Sequence, residues 1–437
     1  MMQIAIKGTS TNAAMKAVPL QIAQLVGVIL IGLLFVSLWD VKLLRVQGLG
    51  IKDIRWFQFL ALGMYVFLFH GLGFNFYAAR KLLIIYGLMI VGALLSVLRA
   101  DDVSQVSNNT AGMAAAQISF LLMLPVLATR RLRMMSMLAL IGVAVILSVQ
   151  VLVLTAQFGG RTRFVFKEYI GDKNYVTLCL SLASTALLSF ALFWRISSAR
   201  RLRRVIIRIL ATIGCFCFIY VASLTYSRSG LLTAISAAVI VLSLYAIKKK
   251  VRGWIVSIFL VSTLAILTAN FLPEYLEAYP FWKTNFGRFV NWQSDDEMRT
   301  RRTLFAKGIE LVSENPIIGI GPGLSQFART EEGQSGTPKY LIHNSYLTTW
   351  VELGMLGLVG CFFYLTYLSK ELIAHLQRPN AELINLVWLM TLVPFFIMQF
   401  FLDVGTLSMF LIALLAGISY ERDSARVQKR PVWRAVE

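Results

Sequence analysis

The chain is organised around a stretch that reads RTRRTLFAKGIELVSENPIIGIGPG from Arg299 to Gly323 and, after a polar run, HNSYLTTWVELGMLGLVG from His343 to Gly360. This is the only long polar interruption in an otherwise apolar sequence. It opens with clustered arginines, turns on glycine and proline, and ends with a histidine in front of an apolar segment. We interpret the rest of the chain as a scaffold that holds this stretch at a membrane surface.

Composition places the chain among helical membrane proteins. Its 437 residues are 57% hydrophobic and 15% charged, and the mean hydropathy is +0.70, whereas a soluble domain carries about 25% charged residues. Apolar runs of about 20 residues recur, which is the length that crosses a bilayer as an α-helix. The predicted fold class is an all-α polytopic membrane protein with a single membrane domain over residues 1–437.

The apolar runs predict about twelve transmembrane helices. They lie near residues 19–38, 56–74, 81–98, 111–129, 134–155, 174–194, 206–224, 230–247, 254–272, 344–368, 384–402 and 405–420. Residues 273–343, between the ninth and tenth spans, form one large loop that is predicted to be partly helical. The basic loops alternate so that both termini face the cytoplasm and the large loop lies outside. The basic segment 39–55 breaks this alternation.

The net charge of +20 comes largely from the short loops between spans. We attribute it to the positive-inside rule and to contact with anionic lipid headgroups. Nucleic-acid binding, which such a charge would suggest in a soluble protein, is not predicted.

The cysteines and acidic residues give little support for a metal site. All four cysteines fall inside predicted spans and form no C-x-x-C motif, so neither a disulfide framework nor a zinc site is predicted. Asp101 and Asp102 on an outer loop could bind a divalent ion, but further ligands are missing. We therefore expect no metal and no other cofactor.

The large loop carries its own helix signals. The SDDE run from Ser294 to Glu297 has the pattern of a capping box and predicts a helix to about Asn315, where Pro316 ends it. The GIGPG run that follows comes after a helix rather than a strand, so it predicts a turn and not a dinucleotide-binding loop. Three apolar residues on one helix face are expected to lie on the membrane or on neighbouring spans: Phe305, Ile309 and Val312.

Arginines on the outer side are the first candidate site residues. Arg228, in the YSRSG run from Tyr226, lies at the seam of two spans joined by almost no loop, where a cation is costly. The other candidates lie on outer loops: Arg161, Arg163, Arg288, Arg299, Arg301 and Arg302. Guanidinium groups bind phosphate bidentately, so we predict a converging cluster for phosphate or pyrophosphate. Two alternatives stay open: a surface pair of Arg301 with Glu297, and snorkelling of Arg228 to lipid headgroups.

His343 is the candidate general base. Asn344 or Ser345 is a suitable N-cap for the tenth span, which places His343 beside the positive end of a helix dipole. That position favours the neutral imidazole, which can accept a proton near pH 7. The alternative is a capping or interfacial histidine. The other two histidines, His70 and His375, are interpreted as structural, with His375 in a cytoplasmic loop.

Glu352 lies in the same apolar segment, nine residues after His343. A straight helix would separate the two residues by about 13–14 Å, which is too far for direct contact. An intramembrane carboxylate is a functional candidate by default; here we expect it to pair within the bundle and orient the histidine helix. The small residues after it are expected to let another helix approach closely: Gly354, Gly357 and Gly360.

Together these motifs resemble the signature of the O-antigen ligase and O-antigen polymerase superfamily. The resemblance rests on Arg301, the PIIGIGPG run from Pro316, the HNSYL run from His343 and the ELGMLG run from Glu352. The YSRSG run and the arginine loop before Asn174 also fit. The motifs cover roughly residues 155–365, and the arrangement of spans with one large periplasmic loop covers the whole chain.

The resemblance implies a glycosyltransferase of the bacterial inner membrane that works on the periplasmic side. Ligases of this family move a glycan from undecaprenyl pyrophosphate to a sugar hydroxyl of lipid A–core, without nucleotide or metal. Carried over to this chain, His343 would activate the acceptor hydroxyl, and Arg228, Arg301 and Arg161 or Arg163 would bind the pyrophosphate. Supporting roles would fall to Asn344, Tyr346, Glu352 and Arg288.

Other functions remain as alternatives. An O-antigen polymerase or a protein O-oligosaccharyltransferase would share the reaction and differ only in the acceptor. A transporter of lipid-linked glycans is the alternative from another class. Transporters typically place ionisable residues near the membrane midplane within repeated halves, whereas here they cluster on one side, which favours an enzyme.

Overall fold

The computed structural model describes the following parts of the chain: residues 76–100, 102–122, 124, 130–158, 166, 169–170, 173–193, 201–225, 227–249, 296–325, 342–378, 383–399 and 417–418. The regular structure of these residues is helical, as the composition predicts. The helices are α1 Phe76–Val97, α2 Val103–Leu122, α3 Arg130–Phe158, α4 Lys173–Phe193, α5 Arg201–Leu224, α6 Arg228–Lys249, α7 Asp296–Glu314, α8 Ser345–Gln377 and α9 Leu383–Gln399.

Six of the described helices are long and apolar enough to cross a membrane: α1, α3, α4, α5, α6 and α8. Helix α9 is apolar but shorter, with 17 residues. By length and composition these helices indicate a membrane protein, and the described residues confirm the all-helical class. The total of twelve spans stays a prediction, because the spans near 19–38, 56–74 and 254–272 lie outside the described residues, as does most of 405–420.

The helices divide into a central pair and a lipid-facing shell. Helices α4 and α9 are buried along most of their length. Helices α3 and α5 instead expose rows of large apolar side chains, among them Leu138, Val149, Ile213 and Phe216. Such surfaces would drive association in water, and lipid tails cover them in a bilayer.

Contacts between helix ends define two ends of the bundle. At one end, which we call the site end, α4, α6 and α8 begin and α9 ends; there the Ser227 hydroxyl donates to Asn174 Oδ1 at 2.7 Å. At the opposite end α1 begins and α8 finishes. Lys81 Nζ lies 3.5 Å from Glu371 Oε1 there.

Two predicted boundaries were wrong. Helix α2 begins at Val103 rather than near residue 111, because the Gln105 N–H donates to Asp102 Oδ1 at 2.9 Å and starts the helix early. Helix α8 continues to Gln377, so His375 lies in its last turns and not in a loop. There the His375 side chain is buried, and its Nδ1 lies 2.9 Å from the Glu371 carbonyl oxygen.

Helix α7 ends at Glu314, one residue before the predicted end. The expectation that one apolar face of α7 lies on the membrane or on neighbouring spans stays a prediction, because only part of that face is packed against the protein. Val312 is buried, but Phe305 and Ile309 are exposed. The face that contacts the rest of the protein runs through Leu304, Gly308 and Leu311. Two apolar stripes lie side by side on α7. The stripe that contains Gly308 packs against α8, because the lack of a side chain at Gly308 lets α8 approach closely.

Candidate functional site

His343 directly precedes the N-cap of α8. Asn344 Oδ1 accepts a hydrogen bond from the Leu347 N–H at 3.0 Å, which confirms Asn344 as the N-cap. His343 has φ 56°, in the left-handed region that few residues other than glycine adopt. Its neighbour Ile342 is 5% exposed and packs in a cluster with Leu347. The histidine therefore sits in an unusual backbone conformation that is anchored on both sides.

Helix α7 packs against this first part of α8. A Cβ built on Gly308 would lie 2.8 Å from Leu347 Cδ2 and 3.3 Å from Ile342 Cδ1. Arg301 is half-buried and belongs to the same face of α7, two turns earlier, whereas Arg302 is exposed. At 1.5 Å per residue, Arg301 lies about 10 Å along α7 from the contact with the histidine segment.

Helix α8 is broken at Gly354, which has φ 67° and ψ −161°. The break divides α8 into a short first half, residues 345–353, and a long second half. A break frees backbone groups that a continuous helix would pair internally, and in a membrane these groups must find partners inside the protein. The first half is thus a separate unit that carries the histidine at its start.

The segment 317–321 supplies the missing partners. The Ile320 N–H donates to the Val351 carbonyl at 2.9 Å, and the Gly321 N–H donates to the Glu352 carbonyl at 3.0 Å. In return, the Met355 N–H donates to the Ile317 carbonyl at 3.1 Å. The segment therefore replaces the intrahelical hydrogen bonds of α8 at the break.

Glycines allow this close contact. A Cβ on Gly319 would overlap the Glu352 carbonyl, and a Cβ on Gly354 would overlap the Ile317 carbonyl. The prediction of a helix contact along the glycines of α8 is right for Gly360, whose added Cβ would lie 3.4 Å from the Ile85 carbonyl oxygen of α1. Gly354 borders the loop segment.

Further contacts tie the loop segment to α2 and to α8. The Asn109 side-chain amide of α2 donates to the Pro322 carbonyl at 2.8 Å, and Trp350 Nε1 donates to the Pro316 carbonyl at 3.0 Å. Gly321 and Gly323 have positive φ, in agreement with the predicted turn.

Glu352 is half-buried, and its Oε1 accepts a hydrogen bond from the buried Ser325 hydroxyl at 2.5 Å. This contact lies in the loop, four residues after the segment that fills the break, and the expected pairing of Glu352 within the helix bundle stays a prediction. Glu352 thus joins the loop to the first half of α8 through its side chain as well as its backbone.

We expect Glu352→Ala to lower both the folded yield and the activity, because the buried Ser325 hydroxyl loses its acceptor, a loss that costs about 1–3 kcal/mol. Glu352→Gln keeps an acceptor oxygen and should fold and retain partial activity. Size-exclusion yield and thermal unfolding in detergent test this, measured beside an assay for the glycan transfer that the resemblance implies. If Glu352→Gln folds normally but is inactive, the carboxylate takes part in the chemistry.

Arg228 is the first residue of α6, which follows α5 after three residues. This agrees with the predicted seam between two spans. Two contacts relate this end of α6 to the histidine helix through α9. Thr233 Oγ1 donates to Met398 Sδ at 3.4 Å, and the Tyr346 hydroxyl lies 3.5 Å from the Phe396 carbonyl oxygen. The starts of α6 and α8 therefore flank the same end of α9.

The structure does not describe the side chains of several predicted site residues. Arg161, Arg163 and Arg288 lie outside the described residues, as do the side chains of Arg228 and Arg299. Asp101 also lies outside. Among the described residues, no group of three or more His, Cys, Asp or Glu side chains could hold a metal ion.

The sequence analysis missed Ser325, Asn109, Asn174 and Ser227 as contributors to this region. Ser227 directly precedes Arg228, and Ser325 follows the GIGPG run by two residues, so both lie next to motifs that the sequence analysis used. Nothing local indicated their partners, which lie 27 or more residues away along the chain.

A comparison with known protein families matches part of this chain. Residues 213–362 match a family model described as O-Antigen ligase. This stretch runs from within α5 to within α8 and contains Arg228, Arg301, His343 and Glu352. A search of curated proteins found no match. Residues 213–362 are therefore similar to O-antigen ligases, and this similarity supports a glycosyltransferase of the O-antigen ligase and polymerase type.

Proposed function

We propose that this protein transfers a glycan from undecaprenyl pyrophosphate to a sugar hydroxyl of lipid A–core, the ligation step of lipopolysaccharide biosynthesis. The proposal is carried by the position of His343 within the matched residues. His343 precedes the N-cap of the first half of α8, and this half-helix packs against α7, which carries the half-buried Arg301. A proton acceptor and a phosphate-binding cation on adjacent elements are what this reaction requires.

In this proposal His343 is the general base. The acceptor hydroxyl gives its proton to the imidazole while its oxygen forms a bond to the anomeric carbon of the donor glycan. The bond between that carbon and the pyrophosphate oxygen breaks, and undecaprenyl pyrophosphate leaves with the electron pair. His343 then returns the proton to solvent.

Arginines stabilise the leaving pyrophosphate in this proposal. Arg301 is supported by its place on the α7 face that packs toward the histidine segment, whereas exposed Arg302 points elsewhere. Arg228 is supported by its position at the start of α6, where the helix dipole also favours an anion. Arg161 and Arg163 are proposed to complete the cluster, with Arg288 in support. Asn344, Tyr346 and Glu352 hold the first half of α8 in place.

We place the protein in the bacterial inner membrane, with its site end and the 273–343 loop facing the periplasm. Lipid-linked donor and lipid A–core both reach such a site from within the membrane. The apolar surfaces of α3 and α5 leave the bundle in contact with lipid on those sides.

The direct test is transfer by the purified protein in vesicles with an undecaprenyl-pyrophosphate-linked glycan. Three acceptors are compared: lipid A–core, a second lipid-linked glycan, and a protein. Product on lipid A–core supports a ligase, whereas product only on a lipid-linked glycan or on protein identifies a polymerase or a protein oligosaccharyltransferase. Movement of the donor across the vesicle membrane without any new glycosidic bond would contradict the enzyme and indicate a transporter.

Arg228→Lys should reduce activity severely although the positive charge is kept. Lysine is a point charge and cannot form two parallel hydrogen bonds to phosphate oxygens. Titration of the donor at saturating acceptor measures this. Lysine with wild-type donor affinity would mean that Arg228 serves only as a charge at the membrane interface.

Transfer should survive EDTA. Charge stabilisation by arginines and positioning of the two substrates supply what a metal would otherwise contribute. The assay is run after chelation, with magnesium or manganese added back. Loss of activity that either ion restores would overturn metal independence.

A further inference from the structure

A buried polar network joins the start of α6 to the start of α4. The Ser227 hydroxyl donates to Asn174 Oδ1 at 2.7 Å, and the Thr177 and Thr225 hydroxyl oxygens lie 2.6 Å apart. All four side chains are at most 8% exposed. Two hydrogen bonds between side chains therefore hold the turn between α5 and α6 against α4.

The same turn starts α6. The Gly230 N–H donates to Ser227 Oγ at 3.2 Å, and the Leu231 N–H donates to the Ser227 carbonyl at 3.0 Å, which is the pattern of an N-cap. A Cβ on Gly230 would overlap the Thr177 side chain, so α6 begins in close contact with α4. The Ser227 hydroxyl thus accepts from its own helix and donates to the neighbouring one.

We propose that Asn174 and Ser227 are positioning residues for Arg228 in donor binding, an inference that rests on the proposed function. Arg228 follows Ser227 directly, so the tie to α4 fixes where its backbone stands in the bundle. Bidentate binding of phosphate depends on the direction of the guanidinium as well as on its charge. A misplaced guanidinium keeps its charge but loses the paired hydrogen-bond geometry, so the donor should bind more weakly.

Asn174→Ala tests the hydrogen bond between Ser227 and α4 separately from the N-cap hydrogen bond that Ser227 accepts at the start of α6. It removes the acceptor on α4 and leaves the Ser227 hydroxyl to cap α6. We expect the donor KM and the inhibition constant for inorganic pyrophosphate to rise about tenfold, the change that a loss of about 1.4 kcal/mol produces, with kcat nearly unchanged at saturating donor. Ser227→Ala removes both tie and cap and should give at least the same rise.

Ser184→Ala is the matched control. It also deletes a buried polar group from α4, but the Ser184 hydroxyl donates to the Ser181 carbonyl of the same helix at 2.9 Å. Its donor KM and pyrophosphate inhibition should match the wild type. Thermal unfolding is measured for every variant. If Asn174→Ala and Ser227→Ala only lower the unfolding temperature and leave both constants unchanged, the network is structural and the inference is overturned.

A double-mutant cycle shows whether the network acts through Arg228. In an Arg228→Ala background, Asn174→Ala should raise the donor KM no further; the full rise in that background would overturn the inference. Wild-type donor affinity in Arg228→Ala alone would refute the proposed pyrophosphate role of Arg228, and the inference with it. If Arg228→Ala weakens donor binding while Asn174→Ala and Ser227→Ala bind the donor as the wild type does, the inference is refuted and the proposed role of Arg228 still stands.

Discussion

Replacing His343 with alanine should lower glycan transfer by about 10²–10⁴-fold, the usual contribution of a general base, while the protein still inserts and folds. The residue precedes the N-cap of α8, whose hydrogen bond comes from Asn344 and not from His343. Removal of the imidazole therefore leaves the helix start intact. Transfer by purified protein in vesicles, at saturating donor and acceptor, measures the loss.

His343→Asn is the sharper variant because the backbone conformation matters here. With φ 56°, position 343 favours residues that tolerate the left-handed region, and asparagine is one of the few that do. Asparagine keeps the conformation but cannot act as the base, so it should be as inactive as alanine. Activity in His343→Asn together with inactivity in His343→Ala would assign the residue to backbone geometry and refute the base role.

Gly354→Ala should prevent the native protein from accumulating. Position 354 combines a positive φ with a Cβ that would overlap the Ile317 carbonyl, and each such strain costs about 1–3 kcal/mol. The hydrogen bonds of segment 317–321 to the break would be lost with it. We expect a large fall in folded yield and in unfolding temperature, measured in detergent by size-exclusion chromatography and thermal unfolding.

Gly87→Ala provides the matched control for this prediction. Gly87 lies in the middle of α1, and an added Cβ there meets nothing within 4 Å. Because alanine is the better helix former by about 1 kcal/mol, this variant should be as stable as the wild type or more so. Equal behaviour of Gly354→Ala and Gly87→Ala would mean that the break in α8 is not required.

Local signals in the sequence predicted local structure well. The amide of Asn344 pointed to the start of α8, Pro316 to the end of α7, and the short YSRSG run to the seam before α6. Each of these features depends on residues within a few positions of one another, so the chain carries the information in one place. A membrane span is also a local feature, because the length and hydropathy of one continuous segment identify it.

Contacts between distant segments could not be predicted in this way. Gly319 was interpreted as part of a turn and Gly354 as part of a helix contact, yet the two meet at one junction. Ser325 and Glu352 are 27 residues apart, and no periodicity relates them. The contact of α7 with α8 could not be predicted for the same reason, because a count of apolar residues does not include Gly308, where the two helices approach each other closely.

The junction between segment 317–321 and the break in α8 also has a consequence for biogenesis. The first half of α8 cannot satisfy its backbone in lipid by itself, so its insertion is complete only when the segment is in place. The segment precedes α8 in the chain and therefore emerges from the ribosome first. The part of the protein that carries His343 is then assembled from segment 317–321 and the first half of α8, in that order. A chain whose synthesis stops between the two would have its earlier spans but no formed site.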